Sequence, residues 1–240
     1  MKVRFLSAGD RGLIVEFGDR VERALSEDVL CLDAILRSGG LDGIVETVPT
    51  FRSLMVYYDP LVTSGAELER AIAGLLDHED TSRSDARLWY MPACYEGELA
   101  PDLPEVARLT GLTPDKVVAL HSGTQFHVYM IGFLPGFPYM GDLPIELALP
   151  RRADPRLRVP AGSISIATSL TAIYPYESPG GWHLIGVTPI RLFDVESARP
   201  ALFAPGDSVK FQPIDRAAFA AIREAVANHD YEVTSTALAA

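Results

Sequence analysis

Residues 129–144 read YMIGFLPGFPYMGDLP, a stretch that neither a helix nor a regular strand can absorb. Gly132, Gly136 and Gly141 admit positive φ or a close backbone approach, while Pro135, Pro138 and Pro144 fix φ. Phe133, Phe137 and Tyr139 lie among them and supply packing surface, so the segment predicts a stiff, shaped loop after the strand-like QFHVYMI. A second loop of the same type is PYESPGGWHLIG, where Gly180 and Gly181 precede Trp182. Each loop alone reads as a tight connection at a barrel corner. Two of them on one scaffold also read as the rims of a ligand pocket.

The rest of the chain supplies the scaffold. VRFL and GLIVEF read as strands joined by SAGDR, and Leu25, Val29, Leu32 and Ile35 recur at helical spacing up to a stop at Gly39 and Gly40. GIVETVP and SLMVYYD are two more strands, followed by a helix capped by Ser64. The order ββαββα predicts a ferredoxin-like or related α+β domain over residues 1–80. DHEDTSRSDAR, residues 77–87, reads as a linker. From residue 87 to 240 the reading is a strand LWYMPACY, helices PDLPEVARLTG and TPDKVVALHSG with Thr113 as cap and Pro114 in the first turn, and the strand QFHVYMIGF. LRVPAGSISIA, AIYPY, WHLIGVTP, RLFD and GDSVKFQPI follow as closely spaced short strands. They predict a barrel or sandwich, closed by the helix DRAAFAAIREAVANH. The fold class is α+β.

Charge narrows the chemistry. A net charge of -11 opposes general binding to nucleic acid or to an anionic membrane. The opening MKVRFLSAGD lacks the apolar run of a signal peptide, no segment is long enough to span a bilayer, and Cys31 and Cys94 have no metal-type spacing, so a cytoplasmic protein is expected. Cys31, on the apolar face of its helix, is expected in the core. Lysine occurs only as Lys2, Lys116 and Lys210, yet PRRADPRLRVPAGS places Arg151, Arg152, Arg156 and Arg158 close together. Such a group suits a carboxylate, a phosphate or an acidic partner surface. It equally reads as solvated arginines paired with local acids such as Asp154.

His127 and His121 are candidate acid–base groups and Cys94 a candidate nucleophile; each also reads as a structural side chain. No G-x-x-x-x-G-K-[ST], no H-E-x-x-H and no G-x-S-x-G occurs.

VPTFRSLMVYYDP, DLPEVARLTGL, LHSGTQFHVYMIGFLPGFPYMGDLP, PRRADPRLRVPAGSISIA, YPYESPGGWHLIGVTP and PGDSVKFQPI together resemble the KipI-like family, also described as the 5-oxoprolinase B subunits (PxpB) or allophanate hydrolase subunit 1. The resemblance spans nearly the whole chain, with GFLPGFPY and SPGGW its most specific motifs. It implies a cyclophilin-like β-barrel for residues 87–240. It also implies two partners, a KipA-like protein (PxpC) and a separate PxpA-like protein, and an ATP-dependent opening of the lactam 5-oxo-L-proline to glutamate. The same resemblance leaves two other readings open for this chain: a KipI-type inhibitor of a sporulation-like histidine kinase, or a subunit of a urea or allophanate pathway enzyme.

On that basis His127, Arg151, Arg156 and Arg158 are the expected catalytic residues. Substrate contacts are expected from Gly132, Phe133, Pro135, Gly136 and Tyr139, from Pro160 and Gly162, and from Tyr174, Gly180, Gly181 and Trp182. The chain departs from the family where relatives read close to G-G-Q-T-G after SISIA: here stand Thr168, Ser169, Leu170, Thr171 and Ala172. Val187 stands where many relatives carry arginine, and Glu96 replaces a usual glycine.

Overall fold

The computed structural model describes residues 3–39, 41–76 and 86–238, so residues 77–85 of the linker reading lie outside the described residues. The described chain falls into two compact units, one on each side of that stretch.

The first unit is a four-stranded antiparallel sheet with two helices. Its elements are β1 (Arg4–Ser7), β2 (Gly12–Glu16), α1 (Arg23–Arg37), β3 (Ile44–Pro49), β4 (Ser53–Tyr58) and α2 (Gly65–Leu76), with strand order β1-β2-β4-β3. Register aligns Leu13 with Val56 and Val15 with Leu54, so the period of two sends all four to one face. That face meets Val29, Leu32 and Leu36 of α1 and Leu68 and Ile72 of α2, all buried. Each such side chain removed from water contributes roughly 1.5–3 kcal/mol. Cys31, expected in the core, is only half-buried, as is Ile35; Leu36 takes the inward position on the helix. The cap at Ser64 is reciprocal: its Oγ donates to Glu67 Oε2 at 2.8 Å and accepts from the Glu67 amide at 3.3 Å.

The second unit is built on a closed barrel. Its elements are β5 (Arg87–Cys94), α3 (Leu103–Thr110), α4 (Pro114–Gly123), β6 (Gln125–Ile131), β7 (Pro138–Gly141), β8 (Arg156–Val159), β9 (Ser163–Ala167), β10 (Leu170–Ile173), β11 (Ser178–Gly180), β12 (His183–Val187), β13 (Ser208–Ile214), α5 (Arg216–Ala227) and β14 (Ser235–Ala237). Strands pair in the order β12-β9-β10-β7-β6-β13-β5, and Val187 of β12 pairs with Cys94 of β5 to close seven strands into a ring. The β13–β5 pair is parallel and the other neighbours are antiparallel. β14 adds outside on β5, and β8 and β11 form a separate ribbon. Met91, Phe126, Val128, Ile164, Ile166, Ile185, Val209 and Phe211 form the main core with Val106 of α3 and Val117 of α4.

RLFD is not a strand. Phe193 makes a single bridge with Ala201, and Asp194 turns the chain by accepting from the Glu196 amide at 3.0 Å. His121 of α4 is fully buried, its Nε2–H donating to Thr171 Oγ1 and its Nδ1 accepting from the Tyr95 hydroxyl, both at 2.9 Å. Thr171 in turn donates to the Ser165 carbonyl at 2.9 Å, which fixes these roles. Burial lowers the His121 pKa to about 3, so it is a neutral core group and not the acid–base residue that its helix-end position suggested.

Candidate functional site

The proline- and glycine-rich loop between β6 and β7 is pinned by its own backbone. Gly132 N–H donates to Phe137 O at 3.0 Å, Leu134 N–H to Gly132 O at 2.8 Å, and Phe137 N–H to Leu134 O at 3.0 Å. Gly136 sits at φ 75°, where a Cβ would also lie 2.8 Å from Cβ of Phe193, so glycine is required twice over. Phe133 holds φ 67° and remains 63% exposed, an uncommon conformation for an aromatic residue. Pro135 is exposed at the loop tip.

This loop and the PYESPGGW loop meet over the outer side of the barrel. Phe137, Tyr174, Trp182, Val159, Ala167, Ala172 and Leu184 form a satellite cluster with Tyr139 packed on it. Ring centroids lie 4.9 Å apart for Phe137–Tyr139, 5.1 Å for Phe137–Tyr174 and 6.1 Å for Tyr139–Trp182. Gly180 makes this packing possible: a Cβ there would lie 2.3 Å from the Tyr174 hydroxyl oxygen. Gly162 ties the cluster to the barrel, donating to Tyr174 O at 2.7 Å and accepting from Thr188 N–H at 2.9 Å, with Pro160 exposed beside it. Gly181 accepts from the Arg152 amide at 2.7 Å.

The arginines divide sharply. Asp102, at the start of α3, is buried to 4% exposure, and Arg156 grips both its carboxylate oxygens at 2.6 and 2.9 Å. Arg152 adds a contact at 3.2 Å and the Leu184 amide donates at 2.7 Å. Arg158 pairs with Glu177 at 2.7 Å in solvent. The acids that pair with these three are therefore Asp102 and Glu177, not Asp154; Asp102 sets one negative charge against two guanidinium groups, so its trio with Arg152 and Arg156 keeps one net positive charge. Among the described residues Arg151 has no carboxylate partner; its guanidinium carbon lies 5.9 Å from the Trp182 ring centre, in cation–π range.

Electrostatics ties Arg151 to the two phenols. Burial raises the pKa of Tyr139 and pushes Tyr174 up to about 12, with the neighbouring Tyr139 adding to the latter shift; Arg151 opposes both. Both hydroxyls are therefore neutral donors at physiological pH beside an uncommitted cation. Tyr174 and Trp182 are 2% and 5% exposed, so the groups that face outward here are the Arg151 guanidinium and the half-buried Tyr139, a cation beside a phenol that suits a small anion.

Other expected residues lie apart. His127 is buried opposite Gly141, its ring 4.7 Å from that of Tyr129, and the cluster does not include it. Cys94 is buried, and burial pushes its thiol pKa up, the reverse of what a nucleophile needs. Sequence reading missed Asp102, and it missed His183, which is buried and directs Nε2–H to Pro150 O at 3.0 Å. The departure at Thr168 falls on the two-residue turn between β9 and β10, where Thr168 takes φ 54°. Among the described residues, no helix is long and apolar enough to cross a membrane.

Comparison with known proteins gives a consistent set. The family model for the carboxyltransferase domain, subdomain C and D, matches residues 3–203. A curated 5-oxoprolinase B subunit from Bacillus subtilis is 35% identical over 90% of this chain and 95% of its own length. The 5-oxoprolinase B subunit of Haemophilus influenzae is 44% identical over 70% of this chain and 78% of its own. Among solved structures, TTHA0988 superposes with a TM-score of 0.77 at 36% identity, covering 85% of this chain and 40% of that longer chain.

Proposed function

Since the chain belongs to the carboxyltransferase-domain family, subdomains C and D, and groups with the 5-oxoprolinase B subunits, we propose that it serves as the B subunit of a 5-oxoprolinase. The observation that carries the reading furthest toward chemistry is Arg151. It is the arginine of its group without a carboxylate partner among the described residues, and it stands over Trp182 beside two neutral phenols.

In this reading the carboxylate of 5-oxo-L-proline meets Arg151, and the flat lactam ring lies against the half-buried Tyr139. The Tyr139 hydroxyl donates to the lactam oxygen and stabilises charge that builds there. Asp102 pairs with both Arg152 and Arg156 and holds them as a fixed wall whose one residual positive charge adds to the field at Arg151. Gly132, Phe133, Pro135 and Gly136 form one rim, and Pro160, Gly162, Gly180 and Gly181 the other. His127 lies buried outside the cluster, and Arg158 pairs with Glu177 at the surface.

ATP supplies the activation of the lactam oxygen in such a complex. The residues here do not make a triphosphate site: lysine is absent from both loops, and three of the four clustered arginines are already engaged by carboxylates. ATP is therefore assigned to the complex, completed by a KipA-like partner (PxpC), with a PxpA-like partner for the hydrolytic step. On the same proposal the first unit is ferredoxin-like and the barrel cyclophilin-like, the two domains are residues 1–80 and 87–240, and the setting is the cytoplasm.

The test is reconstitution. The purified chain is mixed with its KipA-like and PxpA-like partners, given ATP and 5-oxo-L-proline, and glutamate release is followed. Release that needs this chain supports the reading; a folded, assembled complex that releases none refutes it.

A further inference from the structure

An open cavity of about 300 Å³, which shares no lining residue with the aromatic cluster, lies between the 190–202 segment and the chain that follows α5. Its volume is at the lower end of the roughly 300–1,000 Å³ usual for small-ligand sites. The lining is split by chemistry. Leu192, Leu202, Val226 and Val233 give it an apolar floor, continuous with the barrel core.

Charges stand around that floor. Arg191 and Asp194 pair with each other at 3.5 Å and so cancel. Arg199 and Glu232, both lining residues, make no ion pair among the described residues, with each other or with any third group. The lining therefore includes, beside His229, one exposed cation and one exposed anion without an ion-pair partner among the described residues, around a hydrophobic base. A ligand with only a carboxylate would leave Glu232 facing it, and a simple amine would leave Arg199. A molecule with both charges and an apolar side chain satisfies all three parts of the lining.

We propose that this cavity binds an α-amino acid with an aliphatic side chain, its carboxylate held by Arg199, its ammonium by Glu232, and its side chain seated on Leu202 and Val233. The site is independent of the 5-oxoprolinase reading. Its wall includes Phe193, whose Cβ abuts Gly136, so an occupant also braces the loop that frames the aromatic cluster.

The experiment is isothermal titration of the full chain with L-leucine, with leucinamide lacking the carboxylate, and with 4-methylpentanoate lacking the ammonium. Leucine binding that weakens by about tenfold or more in each analogue, and by a similar factor in Arg199→Ala and in Glu232→Gln, is the expected result. Neither side chain belongs to the core, and unchanged circular dichroism and melting temperature establish that the variants are folded. Absence of leucine binding at millimolar concentrations overturns the proposal. So does equal binding of all three probes, or leucine affinity unaffected by either substitution.

Discussion

Arg156 and Asp102, 54 residues apart in sequence, form a two-pronged ion pair at 2.6 and 2.9 Å across a carboxylate that is almost wholly removed from solvent. The same carboxylate takes Arg152 and the Leu184 amide, so one acid joins α3, the β8 ribbon, the 150–152 segment and β12. Asp102→Ala leaves two half-buried guanidinium groups and a buried amide without their acceptor. We expect a loss of about 3 kcal/mol of stability, read from the urea midpoint. Asp102→Asn keeps an acceptor for Leu184 and is expected to lose less.

Gly180→Ala tests the packing of the second loop. The added methyl lies 2.3 Å from the Tyr174 hydroxyl oxygen, so the ring or the ribbon must move. A loss of roughly 1–3 kcal/mol is expected. A shift of the Trp182 fluorescence should accompany it, because Tyr174 and Trp182 share one cluster.

Thr168 is a site for stabilisation. It holds φ 54° in a two-residue turn, a conformation that glycine adopts without the strain a β-branched residue bears. Against this, glycine adds freedom to the unfolded chain. Thr168→Gly is expected to gain about 0.5–1 kcal/mol and to raise the melting temperature by a few degrees.

His121 predicts an acid sensitivity with a definite sign. Its pKa is near 3 when folded and about 6.5 when unfolded, so between these values the unfolded chain binds a proton that the folded chain refuses. The stability is fully present above about pH 6.5 and falls as the pH drops toward 3, by up to about 1.4 kcal/mol per unit from this group. Urea midpoints at pH 7 and pH 5 should diverge more in the wild type than in His121→Gln.

The elements that set the frame were legible because their signals are local. Helical spacing from Leu25 to Leu32, the Ser64 and Thr113 caps, and the glycine–proline loops each announce themselves within a few residues. Asp102 does not: beside Pro101 and Leu103 it reads as a turn residue, and its partners lie 50 and 54 positions away. The division of the arginines was hidden for the same reason, since the sequence puts Asp154 nearest and the fold chooses Asp102 and Glu177. RLFD has the composition of a strand, but Asp194 turns the chain after it and only one bridge forms. Burial of His121 depended on which side of α4 faces the barrel, and its helix-end position did not reveal that.

Among the described residues Arg151 is the arginine of its group with no carboxylate partner, and it is the one expected to hold the anion. In the reconstituted complex, KM for 5-oxo-L-proline is measured for Arg151→Ala and, as a control on surface charge, for Arg158→Ala. A rise of about tenfold to a hundredfold is expected for Arg151→Ala, the size of one lost charge-assisted contact, and a change within about twofold for Arg158→Ala. An Arg151→Ala complex with the KM of the wild type contradicts it.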